Sequence, residues 1–599
     1  MTAAPDSAAE TGNFNLDLGV AKSFLAFAGK FWTGPTAARA WALTLGLAAS
    51  LILSTYITVQ MNHWNRWFFD ALEKKDVATV KSAIFVFFGI IACMAAIGVC
   101  IVLTRETLQV RWRAWLVEHL LKIWLSDSRY YHLQSTGTEP PNPEYRISDD
   151  TRWATEILVD LGIGLLSALV GGIAFITILW TVGGALTVGG TTIPGYMVWL
   201  ALAYGIIAST LMAVVGRPLV GRVGSKNEAE GYFRFAMMRL RDNSESVALM
   251  RGGPAERNIL GSFYDVVVAR WLKIVRSHGH VTWITNSSGP MIPIVPLLFA
   301  APKYLAGELT LGQVTQLAAA FVQVQIAISW VVDNYNRIAE WYASARRVMD
   351  VVNSSSAVDQ LAPTPATVTM ESDSTALELS RISLADSEGR TLLAPLDLTL
   401  RPGAAVHISG ASSTGKSTLA RVLAGLARPA TGVVRIPDGS RTMLVPQKSY
   451  LPLGTLADAL AYPAPASQYD RAAMTAALST VKLGALVPRL GESQRWDQIL
   501  SVGERQRLAV ARLLLAAPNL AVLDDALSAL DDSAQSDLLR ATRTALPDTA
   551  ILSLAQRTPP DAVFDTALHI TRSGSDGIYS VEPRTSGAAP PRQTEIASV

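Results

Sequence analysis

Six long apolar stretches dominate the first part of the chain, at about 41–60, 82–104, 161–183, 195–216, 282–301 and 313–333. Each is close to the roughly 20 residues with which an α-helix crosses about 30 Å of hydrocarbon. A soluble core could bury one or two such helices. Six in succession, followed by a polar second part, predict six membrane-spanning helices. The segments 108–125 and 228–249 keep helical spacing but turn amphipathic, which predicts spanning helices that continue into water, where their ends could touch another domain. Residues 353–376 are rich in Ser, Thr, Pro and Ala, lack periodicity and read as a linker. A soluble α/β pattern begins beyond it, and the last residues, 585–599, read as a disordered tail. The expected division is a flexible tail over 1–30, a transmembrane domain over 31–350, a linker over 351–376, a nucleotide-binding domain over 377–584 and the terminal tail.

Composition agrees with a lipid-facing protein. Half of the 599 residues are hydrophobic and 17% are charged, against about 25% charged in ordinary soluble domains. The net charge of +2, with no long Lys/Arg run, excludes a phosphate-tracking surface and so a nucleic-acid partner. Cys93 and Cys100, the two cysteines, are seven residues apart on one helix face. They form neither a disulfide scaffold nor a CxxC site and are expected to pack inside. The first 15 residues lack the basic start and apolar core of a cleaved signal and read as a cytoplasmic tail.

The connection after the second span carries Arg105, Arg111, Arg113, Lys122, Arg129, Arg146 and Arg152. That after the fourth carries Arg217, Arg222, Lys226, Arg234, Arg239, Arg241 and Arg251. The short loops after the third and fifth spans carry almost none, so the long basic loops and both termini are expected inside. Trp64, Trp67, Trp112, Trp115, Trp330 and Trp341 fit interfacial anchoring. Gln316, Gln323, Gln325, Ser329, Asp333 and Asn334 on the last span are costly toward lipid and should face the bundle interior or a wet cavity. Glu228, Glu230 and Glu245 are expected on a solvated face or paired with Arg234, Arg239 and Arg241.

The chemistry lies in the second part. Gly410, Ala411, Ser412, Ser413, Thr414, Gly415, Lys416 and Ser417, with Thr418 behind them, follow the apolar strand 405–408 and open a helix expected over 417–426. That strand–loop–helix context is what a phosphate loop needs. Backbone N–H groups and the helix N-terminus cradle phosphates, Lys416 neutralises the β and γ groups, and the Ser417 hydroxyl is a ligand for Mg2+. Downstream, the apolar run 520–523 ends in Asp524, a carboxylate placed to hold the nucleotide's magnesium. ATP and Mg2+ are the implied cofactors.

Between these motifs, Leu500-Ser501-Val502-Gly503-Glu504-Arg505-Gln506-Arg507 resembles the signature of ABC ATPases. Asp525 and Ser528-Ala529-Leu530-Asp531 follow in that family's order, and Gln447 stands at its lid glutamine. The resemblance implies an exporter-type ABC fold, a six-helix membrane bundle joined to an α/β P-loop ATPase domain. It also implies head-to-tail pairing, in which Ser501, Gly503 and Glu504 of one chain close on ATP held by the phosphate loop of another. The partner is then a second copy or a related half-transporter. Asp525 takes the position of the general base, and Gln447 that of a residue serving both catalysis and metal.

The pattern departs from the family at Asp525, one methylene shorter than the usual glutamate, and at Gln556, which replaces the histidine near the γ-phosphate and cannot become a cation. Slow hydrolysis is therefore expected. Ser413 stands where such loops often have glycine, and 379–392 shows no convincing aromatic to stack on adenine.

The membrane part adds Leu108-Gln109-Val110-Arg111-Trp112-Arg113 with Trp115, Tyr130-Tyr131, Asn142-Pro143-Glu144-Tyr145-Arg146-Ile147, Glu228-Ala229-Glu230 with Phe233-Arg234, and Ala301-Pro302 with Gly307. These resemble the bacterial SbmA/BacA-like transporters fused to an ATPase domain, relatives of the peroxisomal acyl-CoA transporters. That resemblance covers about 40–580. It implies ATP-dependent import of hydrophilic cargo, such as antimicrobial peptides, peptide antibiotics or corrinoids, across the bacterial inner membrane by a homodimer. The alternatives are an ion-coupled peptide carrier whose ATPase domain is regulatory or weakly active, and a lipid or fatty-acyl exporter. The glutamines of the last span argue mildly against the exporter.

Overall fold

The computed structural model describes residues 17–188, 191–361, 368–371, 376–385, 390–427, 429–437, 439–557, 563–573 and 578–583. The chain divides into two compact units, Met1–Gln360 and Leu361–Val599.

Among the described residues of the first unit, six helical segments are long and apolar enough to span a bilayer: Ala37–Glu73, Val77–Thr136, Pro143–Gly183, Tyr196–Asp242, Gly253–Leu305 and Leu311–Asp359. Each encloses one expected apolar stretch, and all far exceed the roughly 20 residues that lipid demands. The helix Val77–Leu125 alone has 49 residues, ~70 Å at 1.5 Å per residue. The continuation expected over 228–249 is interrupted. Asn243 leaves the helical region, its side-chain amide donating to the Arg239 carbonyl at 2.8 Å, and a separate short helix, Ser244–Leu249, follows.

Four expectations change. The flexible tail stops short of residue 30: Leu18–Ala28 is a helix capped by Asp17, followed by a 3-10 turn, Gly29–Trp32. It buries Phe24, Ala28 and Phe31, and Trp112 Nε1 donates to the Ala28 carbonyl at 3.1 Å. Residues 1–16 lie outside the described residues. At the other end, the helix Tyr335–Leu361 occupies the start of the expected linker, because Val351, Ser355 and Val358, at i, i+4 and i+7, are all buried. Trp112 and Trp341 are core residues, 3% and 7% exposed, not interfacial anchors. Cys93 and Cys100 are exposed: the most apolar window of their helix buries none of its residues in the unit, so its surface is left for lipid.

The acids of the fourth helix also pair differently from expectation. Glu230 takes Lys226 at 2.8 Å, one turn away, and Glu228 takes Arg270 on the neighbouring helix at 3.1 Å. The helix Leu311–Asp333 is anchored at its N-terminus by the first span. Asp70 accepts from Gly312 N at 2.9 Å and Glu73 from Leu311 N at 3.0 Å, beside a Thr310/Gln313 capping box. Gly312 is required there, since a Cβ would collide with the Arg66 carbonyl and the Asp70 carboxylate. Gln316 and Gln325 are buried as expected, Gln325 donating to the Ala201 carbonyl at 2.8 Å.

The second unit is built on a sheet whose described strands number ten. Its parallel centre places Thr442–Val445, Leu520–Asp524, Ala550–Ala555, Ala405–Gly410 and Thr566–Ser573 side by side. An antiparallel flank of Leu377–Ala385, Thr391–Leu400 and Thr431–Pro437 extends it. The strands Ala405–Gly410 and Ala550–Ala555 read as continuous buried runs, as parallel strands covered on both faces must. One core, around Trp496, Leu508 and Leu539, covers one side; another, around Leu384, Ile408 and Leu552, covers the other. The helix after the phosphate loop is Lys416–Leu423, shorter than the expected 417–426, because Gly425 turns left-handed and closes it.

Candidate nucleotide site

The loop from Gly410 to Ser417 leaves the carboxyl end of the central strand Ala405–Gly410 and enters the helix Lys416–Leu423. Ser413 and Gly415 both have positive φ, +65° and +94°. The Ser413 value explains why such loops favour glycine there, and its short polar side chain still permits it. Lys416 is folded back over the loop, donating to the Gly410 and Ala411 carbonyls at 2.8 and 2.5 Å and to Thr414 Oγ1 at 3.2 Å. Burial lowers its pKa, against the opposing pull of Asp525 and Asp524. Those carbonyls hold the ammonium in place for an incoming phosphate, which supplies the missing negative charge.

Ser417 and Asp524 are 107 residues apart in sequence, yet Ser417 Oγ donates to Asp524 Oδ1 at 3.1 Å. The strand Leu520–Asp524 brings the carboxylate there through its parallel pairing with Ala550–Ala555, which lies beside the phosphate-loop strand. Burial raises the pKa of Asp524, the Ser417 hydrogen bond opposing it and Asp525 adding to it. A hydroxyl and a half-buried carboxylate in contact, beside Lys416, suit an octahedral Mg2+ that keeps most of its water.

Asp525 adopts φ +49°. Its N–H donates to the Leu554 carbonyl at 2.7 Å, and its Oδ2 accepts from Gln447 Nε2 at 2.9 Å. Gln447 is expected to serve both metal and catalysis; its amide donates to Asp525, while Ser417 and Asp524 are in contact with each other. Gln447, Asp525 and Gln556 line one cavity of about 430 Å³, together with Asp532 and Arg557.

The signature residues serve their own helix. Ser501 caps Val502–Ala516 through a box with Glu504: Ser501 N and Oγ donate to Glu504 Oε2 at 2.9 and 2.8 Å, and Glu504 N returns to Ser501 Oγ at 3.3 Å. Among the described residues, no hydrogen bond joins them to the phosphate loop of the same chain. Sequence reasoning passed over Gln506, 3% exposed. Its Oε1 accepts from Ala529 N at 2.9 Å, tying the signature helix to the stretch that follows Asp525. Its only sequence signal was its place inside the signature. Within 379–392, where no convincing aromatic to stack on adenine is expected, 386–389 lie outside the described residues.

Residues 32–305 match the family described as ABC transporter transmembrane region 2, and residues 393–528 the family described as ABC transporter. An ABC transporter ATP-binding protein of Haemophilus influenzae is 30% identical over 76% of this chain and 76% of its own length. The chain belongs to the ABC transporters. It is a half-transporter, with a multi-pass membrane domain fused to an ATPase domain, and its activity is ATP-hydrolysing. This ABC transporter is also 26% identical to the Escherichia coli inner membrane ABC transporter ATP-binding protein YddA, over 88% of the chain and 93% of the relative. It is 26% identical to the human lysosomal cobalamin transporter ABCD4, over 83% and 86%, which relates it to the D-type transporters. A bacterial Atm1-family ABC exporter with ATP bound shares the fold of the transporter at a TM-score of 0.67 and 18% identity, over 90% of this chain and 94% of that one.

Proposed function

We propose that the protein imports peptides or other hydrophilic compounds across a bacterial inner membrane, as a homodimer with both termini inside, driven by ATP hydrolysis. The observation that carries the hydrophilic cargo is the polar wall of the sixth span. Gln325, Ser329 and Asp333 border cavities within the bundle; an exporter of acyl chains would gain nothing from placing an amide and a carboxylate there. The names of two relatives support water-soluble cargo and the membrane: one is called a cobalamin transporter, the other an inner membrane protein.

In this reading the phosphate-loop amides, Lys416 and Ser417 hold ATP with Mg2+, and Asp524 shares the metal. Asp525 orients the water and Gln447 positions Asp525. The test is ATP hydrolysis in nanodiscs together with uptake of labelled peptide into proteoliposomes. Lys416→Ala should abolish both. Uptake that survives Lys416→Ala and collapses with the proton gradient would replace this reading with an ion-coupled carrier.

A further inference from the structure

The N-terminal helix Leu18–Ala28 and the 3-10 turn after it leave a cavity of about 330 Å³ where they meet the first three spans. Its wall runs from Thr44 to Leu51 on the first span and from Leu158 to Leu166 on the third, and Leu25, Gly29 and Trp112 help to complete it. Those stretches are about 10–12 Å long at 1.5 Å per residue, so the space is elongated along the spans. Leu25 in the wall is 48% exposed, which places the mouth at the N-terminal helix. The cavity lies on the face of the third span turned away from the sixth. Gly164, two residues beyond the wall residue Gly162 and so about 200° round the helix, is the position whose Cβ would collide with Trp330.

The space is dry and unfilled by the protein. Three polar side-chain groups reach the wall and each is engaged. Trp32 Nε1 donates to Thr44 Oγ1 at 2.9 Å, Thr44 Oγ1 donates to the Ala40 carbonyl at 2.8 Å, and Trp112 Nε1 donates to the Ala28 carbonyl at 3.1 Å. Water entering would give up its own hydrogen bonds for none in return. Two wall positions are glycine, Gly29 and Gly162, and a Cβ on either meets no atom within 4 Å. Close-packed interiors do not leave apolar space of this size, and at the depth of the spans hydrocarbon is the material at hand to fill it.

The charge beside the mouth has one sign. Lys22, three residues before Leu25 and on the same side of the helix, and Lys30, next to Gly29, are both exposed, as is Arg39 at the start of the first span. From Leu18 to Phe69 the sequence holds no Asp or Glu. Asp160, the acid within the third-span stretch, is turned to Arg337 at 2.6 Å. Exposed lysines at a membrane surface attract anionic headgroups. We propose that the cavity binds one acyl chain of an anionic phospholipid, drawn from the leaflet on the side of the N-terminus, with Lys22 and Lys30 attracting the headgroup. The chain completes the packing between the N-terminal helix and the spans.

The test uses the full protein in phosphatidylcholine nanodiscs with a trace of phosphatidylglycerol that carries a diazirine midway along one chain. Irradiation followed by peptide mass spectrometry locates the adducts. They should fall within 25–32 and 158–166, at least about fivefold more often than with phosphatidylcholine carrying the same chain, the scale of one lysine at a charged surface. Adducts at Phe85 and Phe88, which are exposed on the second span, should not distinguish the two probes. Gly162→Phe, which fills the cavity, should remove the adducts within it and leave those at Phe85. Lys22→Gln with Lys30→Gln alters only exposed side chains, keeps the fold and should make the two probes equal in the cavity. Cavity adducts that are equal for the two probes on the unaltered protein overturn the proposal. So do cavity adducts that survive Gly162→Phe, which would mark lipid surrounding the protein only, and an unlabelled cavity beside a labelled Phe85, which would mean that another group fills it.

Discussion

In the proposed mechanism Asp525 polarises water from a side chain one methylene shorter than glutamate, on a backbone held at φ +49° and bonded through its N–H to Leu554. It cannot move forward without breaking that bond, so the reach lost in the side chain is not recovered by the main chain. Asp525→Glu is expected to raise phosphate release in nanodiscs by about tenfold, the scale on which a misplaced general base limits a reaction. An unchanged or lower rate would mean that the Gln447 contact already places the shorter acid well. Asp524 carries the pH dependence. Burial raises its pKa, and the Ser417 hydrogen bond opposes that shift. Once protonated it no longer attracts Mg2+, so metal-dependent binding of a fluorescent ATP analogue should fall on acidification above the usual aspartate range. The linkage for folding has the opposite sign: a raised folded-state pKa favours the native state below it, and this contribution disappears as pH rises through it. The phosphate loop and the apolar run that ends in Asp524 were legible because each is a local pattern, although 107 residues separate Ser417 from Asp524. The Gln447–Asp525 contact spans 78 residues and depends on which strands lie side by side, which no local pattern records.

The helix Tyr335–Leu361 shows how ion pairs hold one element against several others. Arg347 grips Asp150 with two bonds, at 2.8 and 2.7 Å, and Asp150 is fully buried. Arg347→Leu would strand a buried carboxylate, at a cost of about 3–5 kcal/mol, read as a lower unfolding temperature of the purified protein in detergent. Asp150→Asn with Arg347→Leu should recover part of that loss, since the double change leaves no buried charge. The six spanning helices were legible because lipid demands a continuous apolar run. Their ends were not, because beyond the apolar run a helix is specified by the partners it finds. Leu18–Ala28 is a short amphipathic helix whose burial of Phe24 depends on Trp341 across the unit, at 6.2 Å between ring centroids, and Val351 to Val358 read as linker by composition while packing as helix.

At the scale of the molecule, one chain carries one phosphate loop and one signature, and within the chain they do not meet by any described hydrogen bond. If the signature Ser501 and Gly503 of one copy complete the ATP site of another, defects in the two motifs should complement across chains. Lys416→Ala alone and Gly503→Asp alone each damage both sites of a homodimer. In a mixed dimer both defects fall in one site, and the other is built from an intact phosphate loop and an intact signature. Mixing the two variants in equal amounts before reconstitution gives half mixed dimers with one good site of two, so about a quarter of wild-type hydrolysis should return if sites act independently. Adding Lys416→Ala to the Gly503→Asp chain should abolish the rescue, because no intact phosphate loop then remains. Hydrolysis by the Gly503→Asp protein alone at near wild-type rate would show that the signature does not complete the site. Rescue in the mixture identifies the second copy of this chain as its catalytic partner.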